Sequence, residues 1–253
     1  MTGTPLLSFE PLTEGILIKR YKRFLADIEL EDGSCVTAHC ANTGPMTGVL
    51  IPGQRVRLRH APSPTRKLAW TWEQAEVLGA DGNPCWVGIN TALPNRLIRA
   101  AIEAGHLEDQ LGPIAEIRAE VAYGEHRRSR IDLLLTPEAN AEDPRPIYLE
   151  VKNTTWSDGL LALFPDTITE RGQKHLQELM HVLPEARGVL VPCISRPDVT
   201  AFAPGDSADP RYGELFRQAL SEGVEVVPSA FQFEKDKILW RGKRAIQERQ
   251  SAV

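Results

Sequence analysis

Two strand-like runs carry charged side chains inside apolar stretches: Arg130-Ile131-Asp132-Leu133-Leu134-Leu135 and Ile147-Tyr148-Leu149-Glu150-Val151-Lys152-Asn153. Side chains two apart in a strand share a face, so Glu150 and Lys152 point the same way. If the strands are neighbours, Asp132 meets them there. Two carboxylates and an ammonium on one sheet face can hold a divalent cation and activate a water for phosphodiester cleavage. In that assignment Asp132 and Glu150 supply hard oxygen ligands to Mg2+ or Mn2+, with the Val151 carbonyl as an extra metal ligand. The cation acidifies its water and neutralises charge developing at phosphorus. Lys152 positions that water or stabilises the anionic transition state.

Further candidates flank these three. Glu120, in the preceding strand-like run, can serve as another ligand or a water-bridged base; its alternative is an exposed strand position. Gln173 and Lys174, on a later helical segment, can contact a substrate phosphate, although a stripe of Arg171, Lys174 and Glu178 is also what a solvated helix face looks like. His175 reads as a surface histidine. A Glu-x-Lys triplet alone is a weak signal in a chain this rich in glutamate. An aspartate amid apolar residues is costly unless paired or bound to a cation. Spacing therefore leaves two readings open, a metal site or a buried ion network of Asp132 and Glu150 with Arg130 and Lys152.

The elements that must position these groups change character along the chain. Up to about residue 88, short strands alternate with turns: Gly15–Arg20, Phe24–Leu30, Cys35–Cys40, Arg55–Arg59, Thr71–Leu78 and Cys85–Gly88. This predicts a small β-barrel or sandwich over residues 1–88, and a five-stranded barrel of the oligonucleotide-binding type fits the size and the basic, aromatic-interleaved surface. From Asn90, helices and strands mix. Asn90-Thr91 is expected to cap a helix running to Ala104, and strands follow at Ile114–Tyr123, Arg130–Leu135 and Ile147–Asn153. Thr169 caps a helix with a Leu176, Leu179, Met180, Leu183 stripe. A strand at Gly188–Ile194, a helix at Asp209–Ser221 closed by Gly223, and a strand at Val224–Pro228 complete a mixed-sheet α/β domain over residues 89–253. The tail Lys237–Arg249 reads as a peripheral strand and arm.

Net charge is −5, which by itself argues against a nucleic-acid partner. Its distribution argues otherwise. Residues 33–72 hold no acidic residue, yet carry Arg55, Arg57, Arg59, Arg66 and Lys67. Just upstream, Lys19-Arg20-Tyr21-Lys22-Arg23-Phe24 places four cations and two aromatics in six residues. Such a surface suits phosphate-backbone binding, with Tyr21, Phe24, Trp70 and Trp72 as candidate stacking platforms; a solvated strand face and plain core packing are the alternatives. No apolar run approaches the roughly 20 residues of a membrane span. The N-terminus MTGTPLLSFEPL lacks a basic leader and an apolar core for export, so a cytoplasmic location is expected. Scattered Cys35, Cys40, Cys85 and Cys193 suggest packed or free thiols. Neither a phosphate-cradling glycine loop nor a Gly-x-Ser-x-Gly elbow is present, which leaves a sugar-related enzyme without support.

The stretches RYKRFLADIEL (20–30), HCANTGPMTG (39–48), NTALPNRL (90–97), EVAYGEHRRSRIDLLL (120–135), YLEVKNTT (148–155) and FPDTITERGQKHLQEL (164–179) resemble the sugar fermentation stimulation protein A family across essentially the whole chain. The resemblance implies an OB-fold-like barrel followed by a PD-(D/E)XK nuclease-like domain, in which Asp132, Glu150 and Lys152 match the core motif. It implies that Gln173 and Lys174 lie on a helix that often carries an auxiliary residue. Nucleic-acid contact is implied for Arg20, Tyr21, Lys22, Arg23, Asn42 and Thr43, and Arg66 and Lys67 extend that basic surface. DNA is favoured over RNA as partner. The chain departs from the superfamily at the first helix, where a glutamate ligand is common; here the segment is Ile98-Arg99-Ala100-Ala101 and the nearest glutamate, Glu103, is shifted. The expected function is a divalent-metal-dependent nuclease. The alternative is a non-catalytic DNA-binding regulator of sugar-fermentation genes.

Overall fold

The turn-separated alternation of the first half builds a barrel in the computed structural model, which describes residues 5–123 and 129–247. Residues 124–128 of the EVAYGEHRRSRIDLLL stretch, and the end of the basic tail, lie outside the described residues. The first strands are β1 (Pro5–Ser8), β2 (Thr13–Tyr21), β3 (Leu25–Leu30), β4 (Cys35–Cys40), β5 (Arg55–His60), β6 (Trp70–Leu78) and β7 (Pro84–Gly88). Antiparallel pairing runs β4-β3-β2-β5-β6, and a parallel β4–β6 pairing closes the ring, with β7 added on β6. Leu17, Ile28, Val56, Leu58 and Trp72 fill it. The alternation along β5 turns Val56 and Leu58 inward and leaves its three arginines outside.

The second part continues with α1 (Pro94–Glu103), α2 (Glu108–Leu111), β8 (Ile114–Tyr123), β9 (Ser129–Pro137) and β10 (Ile147–Thr154). A hairpin of β11 (Trp156–Asp158) and β12 (Leu161–Phe164) leads into α3 (Glu170–His181) and β13 (Arg187–Ile194). Then come β14 (Ala201–Pro204), α4 (Pro210–Glu222), β15 (Glu225–Val226), β16 (Ser229–Phe233), β17 (Lys237–Lys243) and β18 (Ala245–Ile246). The large sheet has the order β1-β17-β16-β13-β10-β9-β8, and β11-β12-β14-β18 form a small sheet beside it. β10 pairs antiparallel with β9 and parallel with β13, so α3 lies on the crossover between parallel strands.

Sheet alternation divides the core. Ile147, Leu149 and Val151 of β10 pack with Leu97, Ile98 and Ile102 of α1 on one face. On the other face Leu176 and Leu179 of α3 pack with Leu215 and Phe216 of α4, Leu190 and Phe202. Thr169 caps α3 by accepting the Gly172 N–H, and Gly223 closes α4 in the left-handed region, both at the positions the sequence predicts. Gly188 lets α3 press against β13, because a Cβ there would come within 2.7 Å of the Leu179 carbonyl oxygen.

Four features differ from the sequence expectation. α1 starts at Pro94, because Asn90 is committed elsewhere: its Oδ1 accepts the Ala92 N–H and its Nδ2 donates to Glu73. Ser229–Phe233 is a strand of the large sheet, while the strand expected over 224–228 is reduced to β15. The tail is not peripheral, since β17 lies inside the large sheet. Its outer neighbour is β1, so the chain passes through the second part before it builds the barrel. The barrel is fastened to that part by Gly88 N–H to Ser195 O at 2.9 Å and by Gln74 Nε2 to Glu234 O at 2.8 Å.

Candidate metal and nucleic-acid site

β9 and β10 stay paired only as far as Leu133↔Leu149. Beyond that step the strands part, and Asp132 fills the fork. Its Oδ2 accepts the backbone N–H of Val151 at 2.8 Å, a donor the ladder no longer uses. Its Oδ1 accepts from Nδ2 of Asn95, in the first turn of α1, at 2.8 Å. Strand alternation breaks here too. Ile131 packs with Leu176 and Leu190 on the α3 side, whereas Leu133, two residues on, packs beneath α1. On the other side of β9 the pairing with β8 passes from Ala119↔Leu133 to Val121↔Ile131 and omits the Glu120–Asp132 step.

Glu150 and Lys152 share the α3 face of β10, and Lys152 Nζ donates to Glu150 Oε1 at 2.6 Å. His175 of α3 reaches the same pair: its Nδ1 contacts Glu150 Oε1 and lies 2.9 Å from Lys152 Nζ. Glu150 is 2% exposed, and its Oε2 is buried with no hydrogen-bond partner. Burial pushes the Glu150 carboxyl up, but the His175 hydrogen bond and the Lys152 charge outweigh it and hold the group below its ordinary value. Asp132 goes the other way. Burial first, and then the negative charge of Glu150, raise its carboxyl above the ordinary range despite the two hydrogen bonds it accepts. Two mutually repelling carboxylates, one with an orphaned buried oxygen, fit a divalent cation. Among the described residues no three His, Cys, Asp or Glu side chains converge as a metal cluster. A cation here would therefore take two carboxylates, with the Val151 carbonyl, waters and substrate oxygens as the remaining ligands.

The outlying candidates fall elsewhere. Glu120 is exposed on β8 with a left-handed φ of 55°, and its carboxylate makes no hydrogen bond or ion pair to Asp132, Glu150 or Lys152. Gln173 donates through Nε2 to both oxygens of Asp209 at 3.0 Å, which ties α3 to the N-terminus of α4. Lys174 donates to Ser129 Oγ at 3.1 Å and pairs with Glu178 at 3.3 Å, in a cluster that also contains the Tyr123 hydroxyl. Glu103 pairs with Arg99 at the exposed end of α1, and the α1 side chain that reaches the carboxylates is the Asn95 amide. His175 is not on the surface; it is 6% exposed, and the legible signal is its place four residues before Leu179 on the apolar stripe of α3. Asn95 has no comparable signal.

On the barrel the basic surface is narrower than the sequence suggests. Arg55 and Arg57 pair with Glu14, Arg55 also pairs with Glu76, and Arg59 pairs with buried Glu73. The Arg57 guanidinium also covers the Trp86 ring at 3.7 Å. Trp72 is fully buried core, and Trp70 is half-buried against His60. The hairpin tip keeps its character: Lys22 and Arg23 are exposed with φ of 49° and 65°, and Phe24 beside them is 47% exposed. Arg20 clamps this tip, donating to the Arg23 carbonyl at 2.8 Å and the Asn42 carbonyl at 2.7 Å. Tyr21 hydrogen-bonds Asp27. Buried Asn42 holds Gly44 N–H and Ile89 O, while Thr43, Arg66 and Lys67 are exposed. Ala41 accepts the Thr91 N–H at 3.2 Å. The hairpin, the loop after β4 and the segment leading into Asn95 are thus joined by successive hydrogen bonds.

A family model described as "SfsA N-terminal OB domain" matches residues 18–89, and one described as "Sugar fermentation stimulation protein RE domain" matches residues 92–237. A sugar fermentation stimulation protein homolog of Synechococcus sp. (strain WH7803) is 80% identical over 253 residues, covering 100% of this chain and 99% of the relative. One of Prochlorococcus marinus (strain MIT 9313) is 74% identical over 251 residues, covering 99% and 100%. The structure of Pyrococcus furiosus SfsA in complex with Ca2+ is similar at a TM-score of 0.83 and 25% identity, over 97% of this chain and 100% of that one. None of the described helices is long and apolar enough to cross a membrane. The barrel, the mixed-sheet domain and these matches place the chain in the sugar fermentation stimulation protein family.

Proposed function

We propose that the barrel binds DNA and that the mixed-sheet domain is a PD-(D/E)XK-type nuclease that hydrolyses phosphodiester bonds with Mg2+ or Mn2+. The observation that carries this reading is the pairing of half-buried Asp132 with buried Glu150, whose Oε2 is left without a protein partner. The calcium complex of the archaeal relative supports a divalent-cation site in this fold. When bound, the cation acidifies water and offsets charge developing on the phosphate. Asp132 and Glu150 would hold it, with the carbonyl of Val151, the residue after Glu150, as a further ligand. Lys152 spends one donor on Glu150 and keeps two N–H groups for a phosphate oxygen or the attacking water. Lys22, Arg23 and Phe24 supply backbone attraction and one stacking surface, and Arg20 and Asn42 tie that hairpin to Ile89, ahead of the segment that leads into Asn95.

The test is incubation of the purified protein with labelled single- and double-stranded DNA and RNA in Mg2+, Mn2+ or EDTA, beside Asp132→Ala and Lys152→Ala. Metal-dependent cleavage that is lost in both variants supports the nuclease. DNA binding with no cleavage in any metal overturns it in favour of the regulator.

A further inference from the structure

We propose that His175 is a positioning residue for the metal site: its Nδ1–H fixes one oxygen of Glu150 so that the other is presented to the cation. The inference rests on the metal reading above and goes beyond the carboxylates and lysine of the core motif.

Two contacts compete at His175 Nδ1. The Lys152 ammonium would donate to a bare nitrogen, and the Glu150 carboxylate accepts from a protonated one, the charge-assisted bond that we take to prevail. His175 Nδ1 sits against Glu150 Oε1, and Lys152 Nζ is 2.9 Å from the same nitrogen. A bare Nδ1 would set its lone pair against a carboxylate lone pair at contact distance, whereas an N–H there makes a hydrogen bond. Lys152 already donates to the same oxygen at 2.6 Å. Oε1 therefore collects two donors and Oε2 none, although both belong to a carboxylate that is 2% exposed. Leaving a buried carboxylate oxygen bare is costly in a site that serves only packing. The asymmetry is what a ligand oxygen requires, with its partner oxygen pinned so that the free one cannot rotate away.

The helix that carries His175 is held to match. Thr169 caps α3, Asp209 accepts the Thr169 N–H at 2.8 Å, and the Gln173 amide grips the same Asp209. This gives Gln173 a place in the site's architecture. His175 is thus fixed from behind by its helix and in front by Glu150.

The experiment is calorimetric titration of the full chain with Mn2+, comparing wild type with His175→Asn, His175→Leu and Asp132→Ala. Asparagine keeps an N–H donor near the Nδ1 position, and leucine fills the space without one. His175→Leu is expected to weaken Mn2+ binding by about 10–100-fold, and His175→Asn to restore it to within about threefold of wild type. Thermal melts of both variants identify any loss from unfolding. If His175→Leu binds as tightly as wild type, or asparagine fails to rescue a folded protein, the positioning role is overturned while the metal site stands. If wild type binds no Mn2+, or Asp132→Ala binds it unchanged, the metal reading itself falls, and this proposal with it.

Discussion

The Asp132 carboxylate accepts the Val151 backbone N–H at 2.8 Å across the fork where β9 and β10 separate. One side chain thereby substitutes for the missing ladder bond and turns its charge toward Glu150. The fork both creates the site and charges the fold for it, since Asp132 is raised by burial and by the Glu150 carboxylate.

Asp132→Asn should therefore stabilise the metal-free protein. Asparagine can accept the Val151 N–H and donate to a flipped Asn95 amide, without the repulsion. A carboxyl raised in the folded state contributes stability below its unfolded value and loses it as pH rises through the folded value. In EDTA at pH 7 the variant is expected to melt a few degrees above wild type, by roughly 2–4 °C for each kcal/mol relieved. The gap should shrink as pH falls toward the ordinary aspartate value. Added Mn2+ should raise the wild-type melting temperature but not the variant's. A variant that melts lower in EDTA would contradict the repulsion.

Asn95→Ala removes the α1 donor to Asp132 and leaves the proposed cation ligands Asp132 and Glu150 in place. Cleavage kcat is expected to fall about 10–100-fold with KM for DNA little changed. Steady-state kinetics separates the two, and a pure KM effect would place Asn95 in substrate binding instead.

On the proposed DNA-binding hairpin, charge and stacking can be tested separately. Lys22→Ala with Arg23→Ala should weaken DNA binding and flatten its dependence on salt, since each lost phosphate contact removes a unit of slope of about 0.7–0.9. Phe24→Ala should cost about 1–3 kcal/mol with single strands and leave the slope intact. Fluorescence anisotropy across a salt series reads both.

Arg59 is assigned to the fold. Its pair Glu73 is 3% exposed and otherwise holds Asn90, so Arg59→Ala strands a buried carboxylate. A loss of about 1–3 kcal/mol in urea unfolding is expected, with the salt slope of DNA binding unchanged. A flattened slope with full stability would return Arg59 to the nucleic-acid surface.

What the sequence could reveal was what is local. Asp132 stands out because it interrupts an apolar run, and Glu150 and Lys152 because alternation puts them on one face. The ends of α3 and α4 follow from Thr169, Asp209 and Gly223. The β1–β17 pairing joins the two ends of the chain and leaves no local trace. The arginines of β5 looked like a free basic face because their partners, Glu14, Glu73 and Glu76, lie on β2 and β6. His175 was hidden by the polar residues around it, Lys174 and Glu178, although its spacing to Leu179 places it on the buried stripe.

Anomalous diffraction from crystals grown in Mn2+ tests most directly whether the two carboxylates share one cation. The result expected is a single strong peak between Asp132 and Oε2 of Glu150, roughly 2.0–2.6 Å from each. No peak there, or a peak bound away from Glu150, would contradict a metal-dependent nuclease site at the fork of β9 and β10.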